Sequence, residues 1–187
     1  MELWFTSDTH FGHENIIKYC NRPFANAQEM DEILVSRWNE RVKPSDHIYH
    51  LGDVTMARNS QGRGLEILAR LNGHKRLIMG NHDHFHVKHY MVYFEKVMAM
   101  WRINDFWLTH VLVHYLSLGS CKANVHGDTH TQNYPPAVRY KYVNGVEDRE
   151  RPYVTPYINI SVEQTNYRPI NMEELRLLVG QLPPSGV

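Results

Sequence analysis

Cysteine is scarce: the 187 residues hold two, Cys20 and Cys121. That is too few for a disulfide framework and matches reduced thiols in a cytoplasmic protein. No apolar run approaches the roughly 18 residues of a membrane span. The opening Met1-Glu2-Leu3-Trp4 lacks the basic region and apolar stretch of an export signal, so a cytoplasmic location with no membrane partner is expected. An excess of charge is missing too. Lys plus Arg (20) equal Asp plus Glu (20), which leaves no basic footprint for extended duplex nucleic acid. A small or locally bound partner fits better. There is no internal repeat and no low-complexity linker, and the length suits one domain over 1–187.

What is plentiful is histidine, at 13. Neutral imidazole is the commonest metal ligand and a natural acid or base near pH 7, so the placement of these residues matters. Glu2 to Ser7 reads as a short buried strand ending at Asp8-Thr9-His10. Asn26 can cap a helix through Val42, with Glu29 placed as in a capping box and Met30, Ile33, Leu34 and Trp38 as its apolar stripe. His47 to Leu51 predicts a second strand, ending at Gly52-Asp53. A helix near Leu65–Leu71 precedes a third strand, Arg76 to Met79, ending at Gly80-Asn81-His82-Asp83. Further strands are expected at Lys96 to Ile103, Phe106 to His110, Ala123 to His126 and Tyr157 to Val162, with a last helix from Met172 to Val179. This is the layout of an α/β protein whose site gathers at strand ends. Between 134 and 153 the alternation into Asn144-Gly145 predicts a projecting hairpin, since Asn and Gly accept a type I′ turn.

The strand ends supply Asp8, His10, Asp53, Asn81, His82, Asp83, His110, Asp128 and His130. A mixed oxygen and nitrogen set suits Mn²⁺, Fe, Zn²⁺, Ni²⁺ or Co²⁺, with Mn²⁺ preferred. Residues i and i+2 of a strand point the same way, so Asp8 and His10 are expected to approach one ion together, as are Asp128 and His130. Gly52 and Gly80 remove a Cβ where the backbone must turn beside an ion. Two cations about 3.5–4 Å apart can hold a bridging hydroxide and neutralise a phosphoryl group during in-line displacement. Asp53 is the best candidate for the carboxylate shared between them.

Taken in order, Asp8-x-His10, Gly52-Asp53, Gly80-Asn81-His82-Asp83, His110 and Gly127-x-x-His130 resemble the calcineurin-like metallophosphoesterase signature. The wording of Ser7 to His13 and of His50 to Asp53 is most similar to small stand-alone bacterial and phage members. The resemblance implies an αββα sandwich: two mixed β-sheets flanked by helices, with a dinuclear site at the strand ends. It implies Asp8, His10 and His130 on one ion, Asn81, His110 and Asp128 on the other, and Asp53 bridging. His82 would be the general acid, oriented by Asp83. The chain departs from the family at Asp128, where Gly-His-x-His is usual, and at Leu112, where Pro is common.

The implied activity is hydrolysis of a phosphate ester by the bridging hydroxide. Gly52-Asp53-Val54-Thr55-Met56-Ala57 has Ala57 at the place of the Arg that follows Gly-Asp in the protein phosphatases of the superfamily, which favours a phosphodiester of nucleotide type over a monoester. A weakened scaffold of the same fold, or a regulator that holds a nucleotide without turnover, is the alternative. His13 is read as a contact to the substrate phosphate or as the start of a helix, and Asn81 as a further substrate contact. His50 and His126 are expected to be buried supports, and His84, His86 and His89 a solvated helix face. The hairpin's Arg139, Tyr140, Lys141 and Tyr142 can stack on a base, form a contact between subunits of a homo-oligomer, or simply pack the hairpin.

Overall fold

The computed structural model describes residues 1–56, 63–135, 137–143 and 146–180, with 63, 137–143 and 146–155 described by backbone alone. Consecutive strand residues face opposite ways, and three short strands use this to serve two cores. In β1 (Leu3–Thr6), Trp4 points to one core and Phe5 to the other. Ile48 and Tyr49 in β2 (His47–His50), and Leu77 and Ile78 in β3 (His74–Ile78), divide in the same way. Each fully buried side chain of this kind stabilises by about 1.5–3 kcal/mol. A one-residue slip would exchange the two cores, so the register is firmly set.

The core containing Trp4, Ile48 and Leu77 lies under α2 (Ala27–Arg41), which buries Met30, Leu34, Val35 and Trp38. Asn26 caps this helix by accepting from the Glu29 backbone N at 2.9 Å. Glu29 returns its carboxylate to the N–H of Ala25 rather than of Asn26, one residue off the expected capping box. The helix expected near Leu65–Leu71 is a 3₁₀ run over Arg63–Arg70.

The second core is shared between two sheets. The first has order β11-β1-β2-β3-β4, with β4 over Lys96–Met98, β11 (Ile170–Asn171) antiparallel and the rest parallel. The second has order β10-β7-β6-β5, built from β5 (Met100–Ile103), β6 (Phe106–Thr109), β7 (Ala123–His126) and β10 (Tyr157–Asn159). Phe5, Tyr49 and Ile78 of the first sheet pack with Phe106, Leu108, Val125 and Ile158 of the second. This is a mixed α/β architecture of two mixed sheets with flanking helices, as the resemblance implied.

One expectation needs correcting here. The single strand read over Lys96 to Ile103 is two, β4 (Lys96–Met98) and β5, and they belong to different sheets. The chain passes between the sheets at Ala99. The expected hairpin corresponds to β8 (Ala137–Val143) paired antiparallel with β9 (Val146–Thr155). Its Asn144-Gly145 turn and the side chains of Arg139, Tyr140, Lys141 and Tyr142 lie outside the described residues. Two short helices, α1 (Glu14–Tyr19) and α3 (Val87–Tyr90), follow the first and third strand-end loops, and α4 (Met172–Gly180) ends the described chain. Among the described residues no helix is long and apolar enough to cross a membrane.

Candidate metal centre

The parallel strands deliver their following loops to one end of the molecule. Backbone hydrogen bonds lace those loops together: Asp8 N to Gly52 O, His10 N to Asp53 O and Gly127 N to His110 O, at 2.9–3.0 Å. Val162 N donates to Ser7 O at 3.1 Å and ties the second sheet to the first. Space is tight here. A Cβ on Gly80 would lie 2.6 Å from Asp53 N and 2.9 Å from His110 Cε1. Gly52 also needs its positive φ of 94°.

Asp8, His10, Asp53, Asp128 and His130 all have left-handed backbone, with φ between 47° and 65°. They lie beyond the ends of β1, β2 and β7, so strand pleating is not what aims them. Asp8 and His10 do converge, with His130, into a group whose ligand atoms lie within 4.8 Å of one another. Asp128 and His130 do not share a cluster. His130 Nε2 lies 3.9 Å from Asp8 Oδ1, whereas Asp128 Oδ1 lies 3.7 Å from His110 Nε2. The turn separates two side chains that an extended strand would have kept parallel.

The second cluster surrounds His110 Nε2, with Asn81 Oδ1 at 2.8 Å, Asp53 Oδ1 at 3.3 Å and Asp128 Oδ1 at 3.7 Å. Its ring is fixed from behind, because His110 Nδ1 lies 2.6 Å from Leu51 O. Asp53 straddles the clusters: Oδ1 faces His110, and Oδ2 lies 3.5 Å from His10 Nε2.

These residues suit divalent cations. Both ring nitrogens of His10 are buried without a hydrogen-bond partner, and burial holds its pKa down to about 2. A buried neutral imidazole with no partner is costly as a neutral polar group but keeps a lone pair for a metal. Burial also raises Asp8 to about 6, against the pull of His110 and His130. For Asp53 the effect of burial is outweighed by His110, then His10 and the His82 N–H, which together hold it near 2. Burial would lower His110 and His130, but their carboxylate neighbours, and for His130 also the Cys20 thiol, keep the metal-free rings protonated, with pKa values raised to about 9 and 10.

The remaining expected residues are close by. His82 lies beside His10, ring centroids 5.7 Å apart, and its backbone N donates to Asp53 Oδ1 at 2.9 Å. His82 Nδ1 is buried without a hydrogen-bond partner. Asp83 therefore does not orient that ring. Its oxygens accept instead from the backbone N–H groups of Asp53, Val54 and Gly80 and from the Tyr90 hydroxyl. Neighbouring residues in a tight turn diverge, and Asp83 holds the loops rather than the acid. His13 stands at the N-cap of α1, its ring 5.6 Å from that of His10. His50 and His126 are buried. Of His84, His86 and His89, His89 alone lies in helix; His86 caps it.

Sequence reading passed over Arg22, Asn159, Ser161 and Glu163. Arg22 donates to Asp8 O (2.8 Å) and Thr9 O (3.0 Å) and pairs with Glu163 at 2.7 Å. Glu163 Oε1 meets His130 Nδ1 at 3.0 Å, which turns Nε2 toward Asp8. Ser161 donates to Asp8 Oδ2 at 3.0 Å, and Asn159 braces Ser161 and the carbonyl of His130. The available signal was the polar row Asn159, Ser161, Glu163 alternating with Ile160 and Val162. It marks one side of an extended segment as facing something polar.

A family model described as calcineurin-like phosphoesterase matches residues 1–173. An uncharacterized protein of Methanocaldococcus jannaschii is 33% identical over 181 residues, covering 95% of this chain and 91% of its own. The gene 66 protein of Mycobacterium phage L5 is 36% identical over 81 residues, 43% of this chain and 39% of its own. Among solved structures, a protein of unknown function from Aquifex aeolicus matches with a TM-score of 0.66 at 26% identity, covering 95% of this chain and 98% of that one.

Proposed function

Because the chain belongs to the calcineurin-like phosphoesterase family, metal-dependent hydrolases of phosphate esters, we propose that it cleaves a phosphodiester of nucleotide type as a single cytoplasmic domain. The observation that carries this reading is the Asp53 carboxylate, with one oxygen toward His10 and the other toward His110. Asp8, His10 and His130 would hold one ion, Asn81, His110 and Asp128 the other, and Asp53 both. When bound, two divalent cations, Mn²⁺ foremost for this oxygen-rich set, supply Lewis acidity at the phosphoryl group and make water a nucleophile near neutral pH.

The protein residues do the rest. Asp83 and the interloop hydrogen bonds fix the distances between the loops. Glu163 and Leu51 O orient His130 and His110 through Nδ1, as metal-ligating imidazoles require. His82, beside His10, would give a proton to the leaving oxygen, worth about 10²–10⁴-fold in rate. His13 stands where it can meet a phosphate oxygen. A diester is favoured because its phosphate carries one charge and needs less cationic help. Among the described residues, Arg22 brings a guanidinium to this region, and it is buried and engaged by Glu163 and by the carbonyls of Asp8 and Thr9.

The test is hydrolysis of bis-p-nitrophenyl phosphate against p-nitrophenyl phosphate, after stripping the protein of metal and reloading it with Mn²⁺. The diester should be preferred and chelator should abolish turnover. Equal activity in verified metal-free protein would end the two-metal reading, and a preference for the monoester would end the diester reading.

A further inference from the structure

Beside the first cluster lies an open cavity of about 340 Å³ whose lining includes Tyr19, Tyr134, Thr131, Gln132, Asp128 and His130. Its two aromatic side chains are exposed, Tyr19 at 75% and Tyr134 at 48%. Singly exposed rings are ordinary; two on one cavity that also reaches His130 and Asp128 are not scattered. Tyr19 ends α1, the helix that follows the Asp8-x-His10 loop. Its ring meets that of His13 edge-on at 6.4 Å, and His13 in turn stands 5.6 Å from His10. The cavity therefore adjoins the candidate metal centre through His130 and Asp128.

Its lining decides what can enter. Among the described residues no Lys or Arg lines it, and Asp128 contributes a carboxylate. With His130 given over to a metal ion, a second phosphate placed there would face the Asp128 carboxylate with no Lys or Arg of the described lining to offset it, so an uncharged group suits this cavity better. Exposed phenol rings offer flat faces for stacking, and the hydroxyl of Thr131 and the amide of Gln132 offer donors and acceptors to the edge of a heterocycle. We propose that this cavity is a nucleoside subsite, and that the substrate is a nucleotidyl monophosphate diester rather than a di- or triphosphate. This rests on the phosphodiesterase reading.

The test uses two esters with the same leaving group: thymidine 5′-(p-nitrophenyl phosphate) and methyl p-nitrophenyl phosphate. In wild type the nucleoside ester should show the lower KM, by the roughly 5- to 150-fold that stacking one base on one ring provides. Tyr19→Ala and Tyr134→Ala should move the ratio of the two KM values toward one, and Tyr19→Phe should preserve it. Equal KM values in wild type, or a ratio untouched by both alanine variants, would overturn the subsite. If neither ester turns over, the phosphodiesterase reading fails, and calorimetry decides the subsite separately. Thymidine 5′-monophosphate should bind more tightly than methyl phosphate, with the difference lost in Tyr19→Ala; identical isotherms would overturn it.

Discussion

Replacing Glu163 by Gln keeps the shape of the side chain and removes its charge. Three donors converge on Oε1: His130 Nδ1 at 3.0 Å, Arg22 Nε at 2.9 Å and Arg22 Nη2 at 2.7 Å. The Arg22 side chain is 0% exposed and that of Glu163 4%, so the change leaves a guanidinium buried without its counter-charge. Breaking one side of such a pair costs about 3–5 kcal/mol. The Gln oxygen still accepts hydrogen bonds, so about 3 kcal/mol is expected, a fall of about 6–12 °C in the Tm of the metal-free protein. The second consequence is separate. Loss of a carboxylate behind a metal-ligating imidazole weakens metal affinity by about 10–100-fold, and the retained acceptor argues for the lower end. The decisive assay is calorimetric titration of Mn²⁺ into stripped wild type and Glu163→Gln at a temperature where both are folded. One ion should bind about tenfold more weakly while the other is nearly unaffected, because His110 is held by Leu51 O and not by Glu163. Equal affinities for both ions would refute the claim that Glu163 sets the aim of His130, whatever happens to Tm.

Three further outcomes follow from the same geometry. His82→Ala should lower kcat by about 10²–10⁴ on esters with poor leaving groups and far less on nitrophenyl esters, with metal content intact because the bond to Asp53 comes from the backbone N; an equal loss on both would make His82 a phosphate ligand. Asp128→His should tighten the second ion and lower the pH midpoint of the rate profile, since the added negative charge of Asp128 weakens the ions as Lewis acids and its oxygen stands 3.7 Å from His110 Nε2; identical metal titrations and midpoints would show the position to be silent. With metal-free His110 and His130 raised to about 9 and 10, both are protonated near pH 7.5, so loading the site should release about two protons and affinity should climb with pH through that range. Calorimetry in buffers of different ionisation enthalpy reads the number directly, and a buffer-independent heat would contradict it. By the same shifts, the contacts of His110 with Asp53 and of His130 with Glu163 stabilise the metal-free fold fully below pH 6.5, and that contribution is lost as pH rises through 9 and 10.

The parts of the site legible in the sequence are those with local chemistry. Gly52-Asp53 and Gly80-Asn81 announce themselves because a glycine beside a ligand-type side chain after an apolar run has few other uses, and the pairs Trp4/Phe5 and Ile48/Tyr49 show strands buried on both faces. What stayed hidden depends on distance along the chain. Ser161 meets Asp8 across 153 residues and Arg22 meets Glu163 across 141, so the polar row after Tyr157 says that something lies opposite without saying what. Ala99 looks like the middle of one strand because both halves are apolar enough; only the competing sheet explains why the chain changes partner there. Asp83 shows the opposite error: the family resemblance implied that it orients His82, whereas its oxygens accept from the backbone N–H groups of Asp53, Val54 and Gly80 and from the Tyr90 hydroxyl.

The left-handed backbone at Asp8, His10, Asp53, Asp128 and His130 has a consequence for how this molecule tolerates change. Residues with a Cβ are held there at a cost of order 1–3 kcal/mol each, less for Asp, whose short side chain bonds locally. Glycine at any of these positions would relax the backbone. At partly exposed Asp128, where little packing would be lost, a variant such as Asp128→Gly should melt higher while losing part of the second cluster. A screen that rewards expression or heat resistance alone would therefore drift toward glycine here and erode the chemistry first. Stabilising this protein without disarming it means working on the helices and the two apolar cores and leaving these turns as they are.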